Sequence, residues 1–351
     1  MGEQLGKIGI PLFDGTIATM GGYLRPEVRI GPRFGVDVSV VDLPGGMSMA
    51  MTSDPLSLIP SLGLEASAWL SVHLMANDMA TTGHGPMYGQ FVLNLPDTLS
   101  EADFKQYWQY IHRFCADIGV TITGGHTGFV ARQHSTIAGG GTLVTVAPQG
   151  SLLTASAARS GDAILVTKQC ALSSAAILAM SFPETVKHRA GTEVQRLASD
   201  SFYRTSALPD ALMAVDGQAG GTQVSAMHDV TEGGVLGAIY ELAVTSGHGA
   251  LIHNERLPVY PVQQQVCAVF GLDPRYCVGA GAMVIACQPT AAQAIIGRLQ
   301  DSGIPCSKVG SLTPAADGVK LIENGQATDM PYYDEDPYWA AFHNAYQNGW
   351  K

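Results

Sequence analysis

The chain has 351 residues, 46% of them hydrophobic and 14% charged, with 30 acidic against 19 basic side chains and a formal charge of −11. That length and apolar content supply material for about two domains and exclude intrinsic disorder. The acidic balance excludes general binding to nucleic acid or anionic membrane, and no apolar run reaches the ~18 residues of a membrane span.

The opening Met1-Gly2-Glu3-Gln4-Leu5-Gly6-Lys7 has no signal-peptide core, so a cytoplasmic location is expected. From Phe34 to Phe104 there is no lysine or arginine, yet the interval carries Asp37, Asp42, Asp54, Glu65, Asp78, Asp97, Glu101 and Asp103. Carboxylates that converge without a cation repel one another or take up protons, and a bound metal ion relieves both. Asp37 falls in Gly35–Asp42, whose β-branched residues predict a strand. Asp54 follows Met49-Ala50-Met51-Thr52 and precedes Pro55, which predicts the end of a second strand. Asp78 closes a predicted helix with Ala66, Trp69, Leu70 and Leu74 on one face, where an acid opposes the macrodipole. Taken singly, each of the three is an ordinary cap or turn residue; taken together they form a candidate metal set.

Ser100-Glu101-Ala102-Asp103 is a capping box for a helix with Phe104, Tyr107, Trp108, Ile111, Cys115 and Ile118 on one face, ended by Gly119. A strand at Val120–Thr123 then leads into an expected turn, Gly124-Gly125-His126-Thr127-Gly128. Exposed N–H groups there suit phosphate, although a plain tight turn needs the same glycines, and His126 reads equally as packing or ligand contact. After a strand at 142–147, a domain boundary is expected near residue 150. A strand at Ala163–Thr167, a helix at Ser173–Met180 and helical segments within 192–216 follow.

Met227-His228-Asp229-Val230-Thr231-Glu232-Gly233-Gly234 opens a helix with Val235, Leu236, Ile239, Leu242 and Ala243 inward and Gly247 as its stop. Its glycine-flanked start suits an anion and Asp229 can orient a metal or a proton; an ordinary N-cap by Asp229 or Thr231 is the other reading. A strand at 282–287, a helix at about 290–301, a strand near 305–309, a hairpin turning at Asn324-Gly325 and a short tail helix complete the chain. The six cysteines contain no C-x-x-C pair and read as buried thiols. Mixed strands and helices in two blocks predict two α/β or α+β domains, residues 1–150 and 151–351.

Gly35-Val36-Asp37, Thr52-Ser53-Asp54, Asn77-Asp78-Met79-Ala80 with Gly85-Pro86, Gly124-Gly125-His126-Thr127 and His228 to Gly234 occur in the order of the PurM-like superfamily. Over about residues 25–312 the chain resembles the HypE-like, AIR synthase-related group of that superfamily. The resemblance implies an N-terminal domain that binds ATP and Mg²⁺ and pairs in a homodimer, with a C-terminal α/β domain folded over it. By position it implies Asp37, Asp54 and Asp78 as metal ligands. It implies Arg33, Asn77, Gly124, Gly125, His126, Thr127, Gly233 and Gly234 as nucleotide-binding; Lys7, Arg25 or Arg29, near in sequence, is a further candidate cation for the phosphates. Asp229 and His126 are the implied catalytic pair. The implied activity is phosphoryl transfer from ATP to a small molecule, activating an amide- or carboxylate-type oxygen.

Several positions depart from that group. HypE works through a C-terminal cysteine, whereas this sequence ends Asn348-Gly349-Trp350-Lys351 and its last cysteine is Cys306, so chemistry on its own tail is not expected. Glu232 stands where HypE has arginine, and Thr167-Lys168-Gln169-Cys170 replaces a Gly-Asp-His-Gly element. These departures leave a second expectation, a non-catalytic nucleotide-binding factor serving a maturation partner protein.

Overall fold

The computed structural model describes residues 6–131, 136–215, 223–333 and 335–351. The first five residues, and residue 216 at the end of the expected helical stretch, lie outside these. A short helix, α1 (Ile10–Leu12), and a π-turn through Ile17 precede a six-stranded sheet. Its strands are β1 (Val28–Ile30), β2 (Ser39–Leu43), β3 (Met47–Ser57), β4 (Tyr88–Pro96), β5 (Thr121–Val130) and β6 (Ala138–Pro148), in the order β1-β2-β3-β6-β4-β5. Helices α2 (Gly63–Ala80) and α3 (Glu101–Asp117) cover one face, where Val72, Met75, Tyr107 and Ile111 pack on Phe91, Leu93 and Leu143. Ser100 caps α3 as the capping box predicts, its hydroxyl accepting from the Asp103 N–H.

Three expectations are corrected here. Asp37 lies outside the strand predicted over 35–42, because β2 begins at Ser39. Asp54 does not end a strand, because β3 continues through Pro55, which pairs in register with Gly140. Pairing of β3 with β2 stops at Met51, so Pro55 sits where one side of the strand is an edge, and an edge tolerates proline. Gly124 to Gly128 is not a turn; it is the middle of β5, paired in parallel with β4. Gly125 has φ of 143°, and a side chain there would run into the Phe91 backbone, so this glycine serves close strand approach.

The second sheet has the order β13-β12-β9-β11-β7-β10-β8. Its strands are β7 (Ala163–Thr167), β8 (Val224–Asp229), β9 (Gly249–His253), β10 (Met283–Cys287), β11 (Cys306–Thr313), β12 (Val319–Glu323) and β13 (Gln326–Asp329). The helices are α4 (Leu172–Ser181), α5 (Pro183–Ala190), α6 (Thr192–Asp200), α7 (Leu208–Val215), α8 (Gly234–Thr245), α9 (Pro261–Val269), α10 (Ala292–Asp301) and α11 (Pro337–Gln347). Strand β7 is buried throughout: Ile164 and Val166 meet α8, and Leu165 meets α7 and α10 on the other face. The hairpin turns at Asn324 and Gly325, both with positive φ, as the sequence predicts. The C-terminal segment docks on the helical layer, with Arg189 over the Trp350 ring at 4.1 Å. All six cysteines are free and buried. Among the described residues no helix is long and apolar enough to cross a membrane.

A row of polar contacts joins the two sheets' halves. Trp69, His73 and Asn77, one turn apart along α2, meet Thr205, Ser206 and Ala207. The Trp69 indole N–H donates to Thr205 Oγ1 at 2.9 Å, and His73 Nδ1 lies 2.9 Å from Ser206 Oγ. Burial, aided by nearby Lys168, pushes His73 down to about 4 from 6.5, so it is neutral in the folded chain at pH 7. The unfolded chain then binds more protons between those values, and stability falls as pH drops through that window. Chemical denaturation at pH 7 and pH 4.5 should show wild type losing on the order of 2 kcal/mol relative to His73→Gln. Parallel pH dependence in the two proteins would count against this account of His73.

Candidate active site

Four aspartates from four separate places in the chain reach one cleft between the sheets. Asp37 lies just before β2, Asp54 within β3, Asp78 in the last turn of α2 and Asp229 at the end of β8. The cleft has a volume of about 500 Å³ and is also lined by Lys7, Ser39, Thr52, Ser53, Thr142 and Thr231. A second, more open groove of about 450 Å³ shares Ser53, Asp54 and Thr142 with it and is floored by Gly139, Gly140 and Gly141. The other acids of the cation-free interval are engaged elsewhere. Asp42 accepts from Ser48, Glu65 pairs with Arg113, Glu101 with Lys105, and Asp103 with Ser100.

Mutual repulsion in a desolvated space shapes the protonation of the four. Burial, then Asp229, Asp37 and Asp54, pushes Asp78 well above the ordinary carboxylate range, against the Thr52 hydroxyl that donates to Asp78 Oδ2 at 2.6 Å. Burial, followed by the Asp37 charge, raises Asp229 to about 7. Burial also raises Asp54, to about 6, although Lys7 opposes it. Asp37 is raised by burial, which His228 and Lys7 oppose.

His228 braces this set from behind. Its Nδ1 is 3.5 Å from Asp37 Oδ2 and 2.8 Å from the Asp229 carbonyl oxygen, and its Nε2 is 3.2 Å from Glu241 Oε2. Burial alone would lower it, but Asp37, Glu241 and Asp229 outweigh burial and raise it to about 10, so it is an imidazolium at neutral pH. In that form the ring is a counter-ion to the carboxylates around it. Glu241, on α8, is held below its ordinary value despite burial by Lys7, His228 and the Tyr332 hydroxyl, which donates to it at 3.1 Å. Lys7 enters from the N-terminal segment: its main-chain N–H donates to Glu232 at 2.9 Å and its Nζ to Thr231 Oγ1 at 3.0 Å.

Oxygen donors on several elements, with Asp229 Oδ2 buried and lacking a hydrogen-bond partner among the described residues, fit a hard divalent cation such as Mg²⁺. Asp37, His228 and Asp229 form a group whose potential ligand atoms lie within 4.8 Å of one another.

The remaining expected site residues fall elsewhere. Asn77 is fully buried and occupied: its Nδ2 donates to Thr205 O at 3.0 Å and its Oδ1 accepts from Ala207 N at 2.6 Å. It joins the two halves and offers no free group to a nucleotide. Gly233 donates its N–H to Asp336 Oδ2 at 2.7 Å, so the start of α8 is capped by the chain's own carboxylate. Gly234 is set by packing, since a side chain there would meet the backbone of Arg275 and Cys277. Asp54 is separated from Gly125 by β6 and β4 in register, three strand spacings or roughly 14 Å. Gly124, Gly125, His126 and Thr127 are accordingly exposed on β5 and do not line the cleft of their own chain. Arg33 is exposed outside the cleft lining, and Arg25 and Arg29 pair with Glu27 and Asp42.

A family model described as AIR synthase related protein, N-terminal domain, matches residues 35–147, and its C-terminal-domain counterpart matches residues 159–322. The chain belongs to the AIR synthase related family. It has the PurM-like fold of that family. The chain is 29% identical over 275 residues to carbamoyl dehydratase HypE of Cupriavidus necator, covering 76% of this chain and 73% of that protein. The solved structure of a HypE in complex with ATP aligns with a TM-score of 0.69 at 20% identity, covering 95% of this chain and 99% of the other. A HypE–HypF complex gives a TM-score of 0.72 at 18% identity over 92% and 99%.

Because its raised carboxyl binds a proton more tightly folded than unfolded, Asp78 costs this family member stability as pH rises. In metal-free buffer, Asp78→Asn should melt above wild type, by a margin that grows between pH 5 and pH 8 in calorimetry. A margin that shrinks with pH would contradict the clustering of charge.

Proposed function

We propose that the chain is an ATP- and Mg²⁺-dependent phosphoryl-transfer enzyme that activates an amide- or carboxylate-type oxygen of a small molecule. The observation that carries this reading is the set of Asp37, Asp54, Asp78 and Asp229 around one cleft, with Asp229 Oδ2 buried and unpartnered among the described residues. The likeness to a HypE in complex with ATP supports a nucleotide in such a cleft. Mg²⁺ held by these aspartates supplies neutralisation of the charge on the transferred group. Lys7 Nζ, at the cleft's Thr231 edge, holds a phosphate oxygen as a point charge, a role the exposed Arg33 does not reach. Asp229, backed by His228, orients the acceptor or takes its proton.

The helix-free face of the first sheet carries Tyr88 and Val92, each 42% exposed, and a second copy of the chain is the proposed cover for it. Sedimentation as a monomer at micromolar concentration would remove that part. A second reading, a non-catalytic factor working with a maturation partner, draws on the likeness to a HypE–HypF complex and on Glu232. The location proposed is the cytoplasm.

With Mg²⁺ present, the protein should bind ATP and release ADP with a suitable amide or carboxylate acceptor. Lys7→Ala should lower turnover at least tenfold, assayed below its melting temperature, because it removes the cation that faces the cleft carboxylates. Binding without turnover against an acceptor panel would favour the second reading. No Mg²⁺-dependent ATP binding would overturn both.

A further inference from the structure

The cleft divides its acids between the two halves of the molecule: Asp37, Asp54 and Asp78 belong to the first sheet and its helix, Asp229 to the second sheet. A divalent cation tolerates little error in the spacing of its oxygen ligands, so something must fix the two halves against each other. Asn77 immediately precedes Asp78 and takes both a carbonyl and an N–H of the 205–207 segment, Thr205 O and Ala207 N. That segment is gripped from its other side by Lys168, whose Nζ donates to Ser206 O at 2.7 Å and to Gly281 O at 2.9 Å. Lys168 also pairs with Asp210 at 2.8 Å, and both are buried.

Lys168 sits in the left-handed region at φ 54°, a conformation that its buried bonds hold in place. Gly281 packs so tightly on Thr205 that an added Cβ would overlap the Thr205 backbone. Two residues on, Met283 is the register partner of Asp229, and its N–H donates to Thr167 Oγ1 at 3.0 Å. A continuous run of buried contacts therefore leads from Asp78 through Asn77, the 205–207 segment, Lys168 and Gly281 to Asp229.

We propose that Asn77 is a positioning residue that, with Lys168, bolts α2 to the second domain and sets the spacing of Asp78 and Asp229 for a divalent cation. The proposal rests on the metal-site reading above, and it assigns Asn77 a part in cation binding without contact to cation or nucleotide.

The test is a MgCl₂ titration of the full chain with the ATP analogue AMPPCP, followed by calorimetry at a temperature well below melting. Asn77→Ala should raise the Mg²⁺ concentration for half-maximal binding at least tenfold. Leu299→Ala, on the core face of α10, gives a comparison that loosens the second domain without removing a hydrogen bond of the run; it should stay within twofold of wild type. Should Asn77→Ala not fold, Ser206→Ala, which deletes only the hydroxyl that meets His73, should shift the midpoint in the same direction by a smaller factor. Equal shifts in the bolt variants and Leu299→Ala, or no shift in either, would overturn the positioning role while leaving the metal site standing. A wild-type chain with no Mg²⁺-dependent binding of AMPPCP would overturn the metal reading and this proposal together.

Discussion

Like charges forced together in a desolvated cleft are the constraint around which the molecule is arranged. Asp37, Asp54, Asp78 and Asp229 arrive from separate elements, and their repulsion, added to burial, favours protons on groups that would otherwise be ionised. The protein offsets part of this internally through the His228 imidazolium and Lys7. Glu241, itself buried and ionised, keeps both of those cations charged. The interval from Phe34 to Phe104, which carries Asp37, Asp54 and Asp78, supplies no basic residue of its own. The basic deficit of the composition is thereby localised to the place where a divalent cation has a physical reason to bind.

The acids were legible in the sequence because absence of cations is a pattern that spacing preserves. Their mutual approach was not, since it depends on the second sheet bringing Asp229 up to the first. His228 lies in the 228–234 segment, where spacing alone assigns it no role, and Glu241 is hidden because α8 is buried nearly all round, which masks a polar inward position. A glutamate among Ile239, Leu242 and Ala243 was the one available signal. Asn77, Gly125, Gly233 and Gly234 were read as ligand contacts, yet each meets a demand of the fold: an interdomain bond, a close strand approach, or a helix start capped by Asp336. Glycine and asparagine serve ligand and backbone by the same chemistry, and only three-dimensional context separates the two uses.

Among the elements, β7, the hairpin at Asn324-Gly325 and the capping box of α3 were readable because local rules decide them. Helices α5 and α9 were not, because each opens on a proline, Pro183 and Pro261, which suits the first turn of a helix but reads as a breaker. Strand β4 escaped because its alternation of Tyr88, Gln90 and Val92 leaves apolar residues on the face opposite α2. The half of the fold that packs locally is thus written in periodicity, and the half that answers to the cleft or to the uncovered sheet face is not.

Proton release on metal binding tests the central claim most directly, because a cation that enters this cleft competes with the protons that the crowded carboxylates favour. Calorimetric titration of Mg²⁺ with AMPPCP at pH 6.5, in two buffers of different ionisation enthalpy and with the protein-free Mg²⁺–AMPPCP titration subtracted, counts those protons. The account predicts binding with release of about one proton or more at pH 6.5, and less as pH rises. Binding without proton release at pH 6.5, or no binding at all, would contradict it.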